Sequence, residues 1–173
     1  MRDKADGIAT LEEPAAFGPR FAESETFRSL FREGMALVEE TAAYLDGDGR
    51  KDSKRLTRIG GLTYATESMR LTSRLMQLAS WLLLQRAVNE GEMPAEQARQ
   101  ERAKVRLRGF DSGMSGPGWD AVPERLQELI GRSMRLQGRI RLIDEAIYQP
   151  EPRATGNAVI EQIGRLTQAF GSR

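Results

Sequence analysis

Between Ser24 and Leu45, apolar or small side chains recur at Phe27, Leu30, Phe31, Gly34, Val38, Thr41 and Leu45, largely in steps of three and four that place them on one face of a helix. Ser24 is a natural N-cap, and the Asp-Gly-Asp-Gly run at 46–49 ends the helix in a turn. A second helix is predicted from Ser53 to Asn89, about 55 Å long at 1.5 Å per residue and softened at Gly60 and Gly61. It carries two seams. One follows Ile59, Leu62, Thr66, Met69, Ser73, Met76, Ser80, Leu83 and Ala87; the other follows Tyr64, Ser68, Leu71, Leu75, Leu78 and Leu82. Two seams imply two neighbours. Trp81, Leu84 and Val88 add a third stripe, so the helix passes from amphipathic to apolar nearly all round.

Gly91 and Pro94 mark a turn into a third helix, Pro94 to about Arg108, whose apolar groups are only Ala98, Val105 and Leu107. That face is too thin to cover Trp81 and Leu84 completely. A glycine-containing connection at 109–123 offers Phe110 and Trp119 as docking points and Asp120 as a cap. The fourth helix, about Ala121 to Tyr148, has the cleanest period: Val122, Leu126, Leu129, Ser133, Leu136, Ile140, Ile143 and Ile147. Pro150 and Pro152 stop it, and Val159, Ile163, Leu166 and Phe170 trace a last amphipathic helix. Residues 1–23 hold Pro14 and Pro19 and no sustained period, and read as a mobile arm that can pack through Phe17 or Phe21. The expected fold is all-α, an antiparallel helical bundle of three long helices with shorter ones. Residues 24–148 form the domain, and 149–173 form a linker and helix.

Composition limits the chemistry. The uncharged run from Leu75 to Gln85, closed by Arg74 and Arg86, is about half the length of a membrane span. The opening residues mix acids and bases and lack the apolar segment of a secretory signal, so a cytoplasmic protein is expected. There is no cysteine and no histidine, which removes thiol nucleophiles, the commonest general base and the commonest transition-metal ligands. A net charge of +1 gives no global field favouring nucleic acid. No enzyme activity, cofactor or metal is expected. The acids of DGDGRKDSKR lack the twelve-residue calcium pattern, and GFDSGMSGPGWDAVP lacks the Gly-Lys-Ser/Thr ending of a phosphate loop.

Two basic rows remain: Arg99, Arg102 and Arg106 on the third helix, and Arg132, Arg135 and Arg139 on the fourth. Rows of this kind grip phosphates or acidic partners; they are also the ordinary solvated or acid-paired face of a bundle helix.

The stretch RLTRIGGLTYATESMRLTSRLMQLASWLLLQRAVNEGEMPAEQA, with the later VRL and RSMRLQGRIRLIDEAIY, resembles the alphaproteobacterial family of the regulator of CtrA degradation, RcdA, once described as a domain of unknown function. The resemblance covers roughly residues 24–148. It implies a small dimerising helical bundle, itself non-catalytic, that serves as an adaptor for the ClpXP protease. Such adaptors bind a protease primed by the response regulator CpdR and deliver cell-cycle proteins, including CtrA through the effector PopA. On this reading Leu71, Leu75, Leu78, Trp81, Leu82, Leu84 and Val88 are the candidates for self-association or partner docking, and the six arginines are candidates for contact with an acidic partner. The alternative is a nucleic-acid-binding transcriptional regulator that uses the arginine rows, with Gly60 and Gly61 as the turn of a helix-turn-helix.

Overall fold

The computed structural model describes residues 24–109 and 114–148. The expectations placed on residues 1–23, on Phe110 and on the C-terminal helix lie outside the described residues. The described chain forms α1 (Glu25–Asp46), α2 (Asp48–Ser53), α3 (Arg58–Asn89), α4 (Ala95–Lys104), a 3-10 turn (Trp119–Ala121) and α5 (Glu124–Tyr148). No strand occurs among these residues, as the all-α reading requires.

Each boundary has a local cause. The Ser24 hydroxyl accepts from the Phe27 amide at 3.3 Å and starts α1. Gly47 ends it, donating its N–H to the carbonyls of Ala43 and Tyr44. The stretch expected to be only a turn contains the short α2, and the long helix begins at Arg58 rather than Ser53. Extended backbone at Thr57 breaks the helical path there, and its Oγ1 accepts from the Gly60 amide at 3.2 Å. Gly60 and Gly61 therefore lie in the first turn of a continuous helix. At Gly60 a Cβ would come within 3.0 Å of the Ala121 methyl, so the missing side chain is what allows the 3-10 turn to close on α3.

α4 is shorter than expected because the chain becomes extended at Val105. The next residues form a strap tied to two helices. The Arg106 amide donates to Gln77 Oε1 at 2.7 Å, and the Leu107 carbonyl accepts from Gln137 Nε2 at 2.8 Å. Further on, Gly118 adopts φ +80, where a Cβ would press on the Thr63 hydroxyl and on Ile59. Thr63 Oγ1 donates to the Pro117 carbonyl at 3.0 Å. Trp119 packs against the core, as its place in the connection suggested, whereas Asp120 sits within the 3-10 turn and α5 starts after Pro123.

The direction of the helices differs from expectation. α1 runs antiparallel to α5, as the pairs Glu33–Arg139 and Glu40–Arg132 show. α3 and α5, however, run parallel: Gly60 faces Ala121, Arg74 meets Ser133, Trp81 meets Asp144 and Gln85 meets Tyr148. The reason is the connection from Glu90 to Pro123. It folds back through α4 and the strap to the starting end of α3, so α5 begins where α3 began.

The core lies where α1, α3 and α5 meet. It contains Phe27, Leu30, Leu37 and Tyr44 from α1, then Leu71, Leu75, Leu78 and Leu82 from α3, and Leu126, Leu129, Ile130, Leu136 and Ile140 from α5. At Gly34 the Leu82 side chain occupies the space of a Cβ, which would collide with it and touch Leu136. The α5 period is buried from Leu126 through Leu129, Ser133, Leu136 and Ile140, while Val122 is buried just before the helix and Ile143 and Ile147 are half-buried. In α1 the core residues Leu37 and Tyr44 stand one position before the expected Val38 and Leu45, which are half-buried at its edge.

Candidate interaction surface

The seam and stripe first proposed for docking are mostly interior. Leu71, Leu75, Leu78, Trp81 and Leu82 are each no more than 4% exposed, because α1, α4 and α5 of the same chain already cover them. That corrects the expectation that these five line an interface. Leu84 and Val88 are half-buried at the margin.

Trp81 shows how the covering works. Its indole N–H donates to Asp144 Oδ1 at 2.9 Å; Arg102 of α4 donates to the same oxygen through Nε at 2.7 Å and to Oδ2 through Nη2. The guanidinium also lies 5.8 Å from the centre of the Tyr148 ring. Ala98 of α4 is buried alongside. α4 therefore roofs the Trp81 stripe with few apolar groups, because one fork-to-carboxylate contact anchors it. Burial, and then the Asp144 charge, push the Tyr148 phenol above its ordinary pKa.

The arginine rows are partly used within the fold. Arg102 is held by Asp144, Arg132 by Glu40 at 2.7 Å, Arg139 by Glu33 at 2.5 Å, and Arg99 faces Glu96 at 3.8 Å. Arg106 and Arg135 are exposed and form no ion pair among the described residues. Burial works against the charge on Glu40, but Arg132 and Arg125 outweigh it and hold the carboxyl below its usual range. The acids of the Asp-Gly-Asp-Gly region are likewise engaged, Asp46 with Arg50, Asp48 with Lys51 and Asp52 with Tyr44. No metal-binding group of His, Cys, Asp or Glu occurs among the described residues. Nor is any helix among them long and apolar enough to cross a membrane.

What the described residues leave open is the other seam of α3. Ile59 is 60% exposed, Leu62 71%, Met69 71%, Met76 64% and Leu83 52%. Thr66 and Ser80 between them are exposed, and Ser73 and Ala87 are half-buried. From Ile59 to Ala87 this row spans about 42 Å at 1.5 Å per residue. Large side chains at Leu62, Met69, Met76 and Leu83 alternate with small ones at Thr66, Ser73, Ser80 and Ala87, in the strict three-four step of a coiled-coil seam. The Ser80 hydroxyl bonds back to the Met76 carbonyl at 2.8 Å, so this polar group in the seam needs no outside partner. Both seams were visible in the sequence. Which one faced inward was not, since each satisfies the same spacing.

A family model described as "Protein of unknown function (DUF1465)" matches residues 18–170. Among solved structures the fold is similar to the crystal structure of RcdA from Caulobacter crescentus CB15, with a TM-score of 0.63 and 52% sequence identity over 77% of this chain and 99% of that one. No curated protein sequence matches.

Proposed function

The chain belongs to the DUF1465 family, in which RcdA of Caulobacter crescentus is a 52% identical relative, and from that premise we propose that it is a non-catalytic protease adaptor. On this reading it works in the cytoplasm, where it delivers cell-cycle regulators such as CtrA to ClpXP. Its partners are the protease primed by a CpdR-like response regulator, a PopA-like effector and the cargo itself. The observation that carries the reading is the exposed α3 seam, a long apolar row that the described helices leave uncovered. Monomeric soluble proteins rarely leave a contiguous apolar surface of that length open, and such surfaces mark protein contacts.

The occupant we assign to the seam is a second copy of this chain. Large and small positions alternate evenly along α3, so two copies related by a two-fold axis and lying antiparallel can set the large residues of one over the small residues of the other, Met76 over Ser73 and Met69 over Ser80. Each fully covered Leu or Met is worth on the order of 2 kcal/mol, against which stands the entropic cost of association. The docking site is thereby moved from the seam first proposed to the one facing away from the core.

The reading as a nucleic-acid-binding regulator loses its two supports. Gly60 and Gly61 are inside one continuous helix, and the arginine rows are largely paired with acids. Reconstitution tests the adaptor function. With ClpXP, a primed response regulator, a PopA-like effector and labelled CtrA, adding this protein should speed substrate loss several-fold, and an unchanged rate across a full titration would reject the assignment.

A further inference from the structure

Between the strap after α4 and the last turns of α5 lies a cleft of about 370 Å³, lined by the charged side chains of Arg102, Arg106, Arg108, Arg141, Asp144 and Glu145. That volume lies within the range of small-ligand sites. Its charges do not cancel. Asp144 is taken by Arg102, and Glu145 by Arg108 at 3.0 Å. Arg106 and Arg141 form no ion pair among the described residues, and the Nε of Arg141 is buried with no hydrogen-bond acceptor. Two guanidiniums thus stand unneutralised at the walls of one concave site. Both start from fixed points, because the Arg106 main chain is pinned to Gln77 and Arg141 is part of α5.

A guanidinium fork matches the two oxygens of a carboxylate, and a buried N–H with no acceptor is stabilised by gaining one. We propose that this cleft is a binding site for a carboxylate side chain of an acidic peptide segment, held between Arg106 and Arg141. Asp144 and Glu145 in the same walls leave a net charge of two positives, which favours an anion, and the competition below separates a carboxylate from a phosphate. Val105 and Leu107 supply apolar wall for the methylenes of a glutamate. The site is separate from the α3 seam and does not depend on the adaptor reading.

Fluorescence anisotropy of a labelled tetra-glutamate peptide with the full chain, at about 0.15 M salt, tests it. The peptide should bind, a tetra-glutamine peptide should not, and Arg106→Gln with Arg141→Gln should weaken binding at least about tenfold, the range set by losing one charge-assisted hydrogen bond. Arg28→Gln, a loss of charge on α1, should leave the affinity unchanged. Arg141→Lys keeps the charge but not the fork, and should weaken binding while circular dichroism shows the fold intact. Failure of the tetra-glutamate peptide to bind would overturn the proposal, as would equal binding by the double variant or an equal loss in Arg28→Gln. Displacement of the peptide by inorganic phosphate at lower concentration than by acetate, at matched ionic strength, would overturn the carboxylate assignment.

Discussion

Asp144 is 2% exposed and accepts from two different elements, the Trp81 indole of α3 and the Arg102 guanidinium of α4. Asp144→Ala leaves both donors without their acceptor. Removing one partner of a buried pair costs about 3–5 kcal/mol, and partial exposure of Arg102 reduces that to about 2–4 kcal/mol here. Urea denaturation measures it, and a loss under about 1 kcal/mol would show that the contact does not anchor α4. Glu40 makes a different, pH-dependent contribution. Its folded-state pKa lies below the ordinary 4.5, so its stabilising effect is present above that value and is lost as pH falls through the depressed one. Glu40→Gln should therefore cost up to about 1 kcal/mol at neutral pH and progressively less in acid, as pH falls through the depressed pKa, compared by the same denaturation. An equal difference at both would contradict the ion-pair account. Neither pair could be read from sequence. Asp144 is near no arginine of α4 along the chain, and only the strap brings the two together.

At the scale of the element, α3 carries the argument. Its inner stripe holds Leu71, Leu75, Leu78 and Leu82 together with buried Glu67, Arg74 and Gln85, while its outer stripe holds Met, Thr and Ser among its apolar groups. Periodicity alone ranks the two equally, and the buried charges make the inner one look the less apolar. Arg74 shows why that ranking misleads: its Nη1 donates to Ser133 at 2.7 Å, a partner 59 positions away that no local pattern announces. By contrast the central α5 positions Leu126, Leu129, Ser133, Leu136 and Ile140 were legible, because that helix has a single apolar face, although Ile130 beside them fell outside the period. The parallel pairing of α3 and α5 was hidden in a long connection, which can return the chain to either end of a bundle. The contrast between the stripes of α3 is measurable. Leu78→Ala should lose about 2–5 kcal/mol of stability, whereas Met76→Ala, two positions away on the outer face, should change the stability of the monomer by under about 0.5 kcal/mol. A large loss at Met76 in dilute monomer would mean that the outer seam is held within the chain.

Among the described residues, three long helices enclose one core, and the longest of them presents its opposite face to solvent. Periodicity supplied the long helices and both seams of α3, and the sequence resemblance supplied the family, but the docking role was placed on the side of α3 that faces inward. Correcting it strengthens the interaction reading, since the row of Ile59, Leu62, Met69, Met76 and Leu83 is available without disturbing the core. Changes on that row should separate association from folding, which changes at Leu78 or Leu82 cannot do.

Light scattering on the purified chain and on the Met69→Glu, Met76→Glu double variant tests this most directly. The account predicts a mass near twice the 19.3 kDa chain for the unaltered protein and a single chain mass for the variant, with the same helical content by circular dichroism. A variant that stays dimeric, or an unaltered protein that is monomeric at about 50 μM, where contacts with Kd near 1 μM are largely occupied, would contradict it.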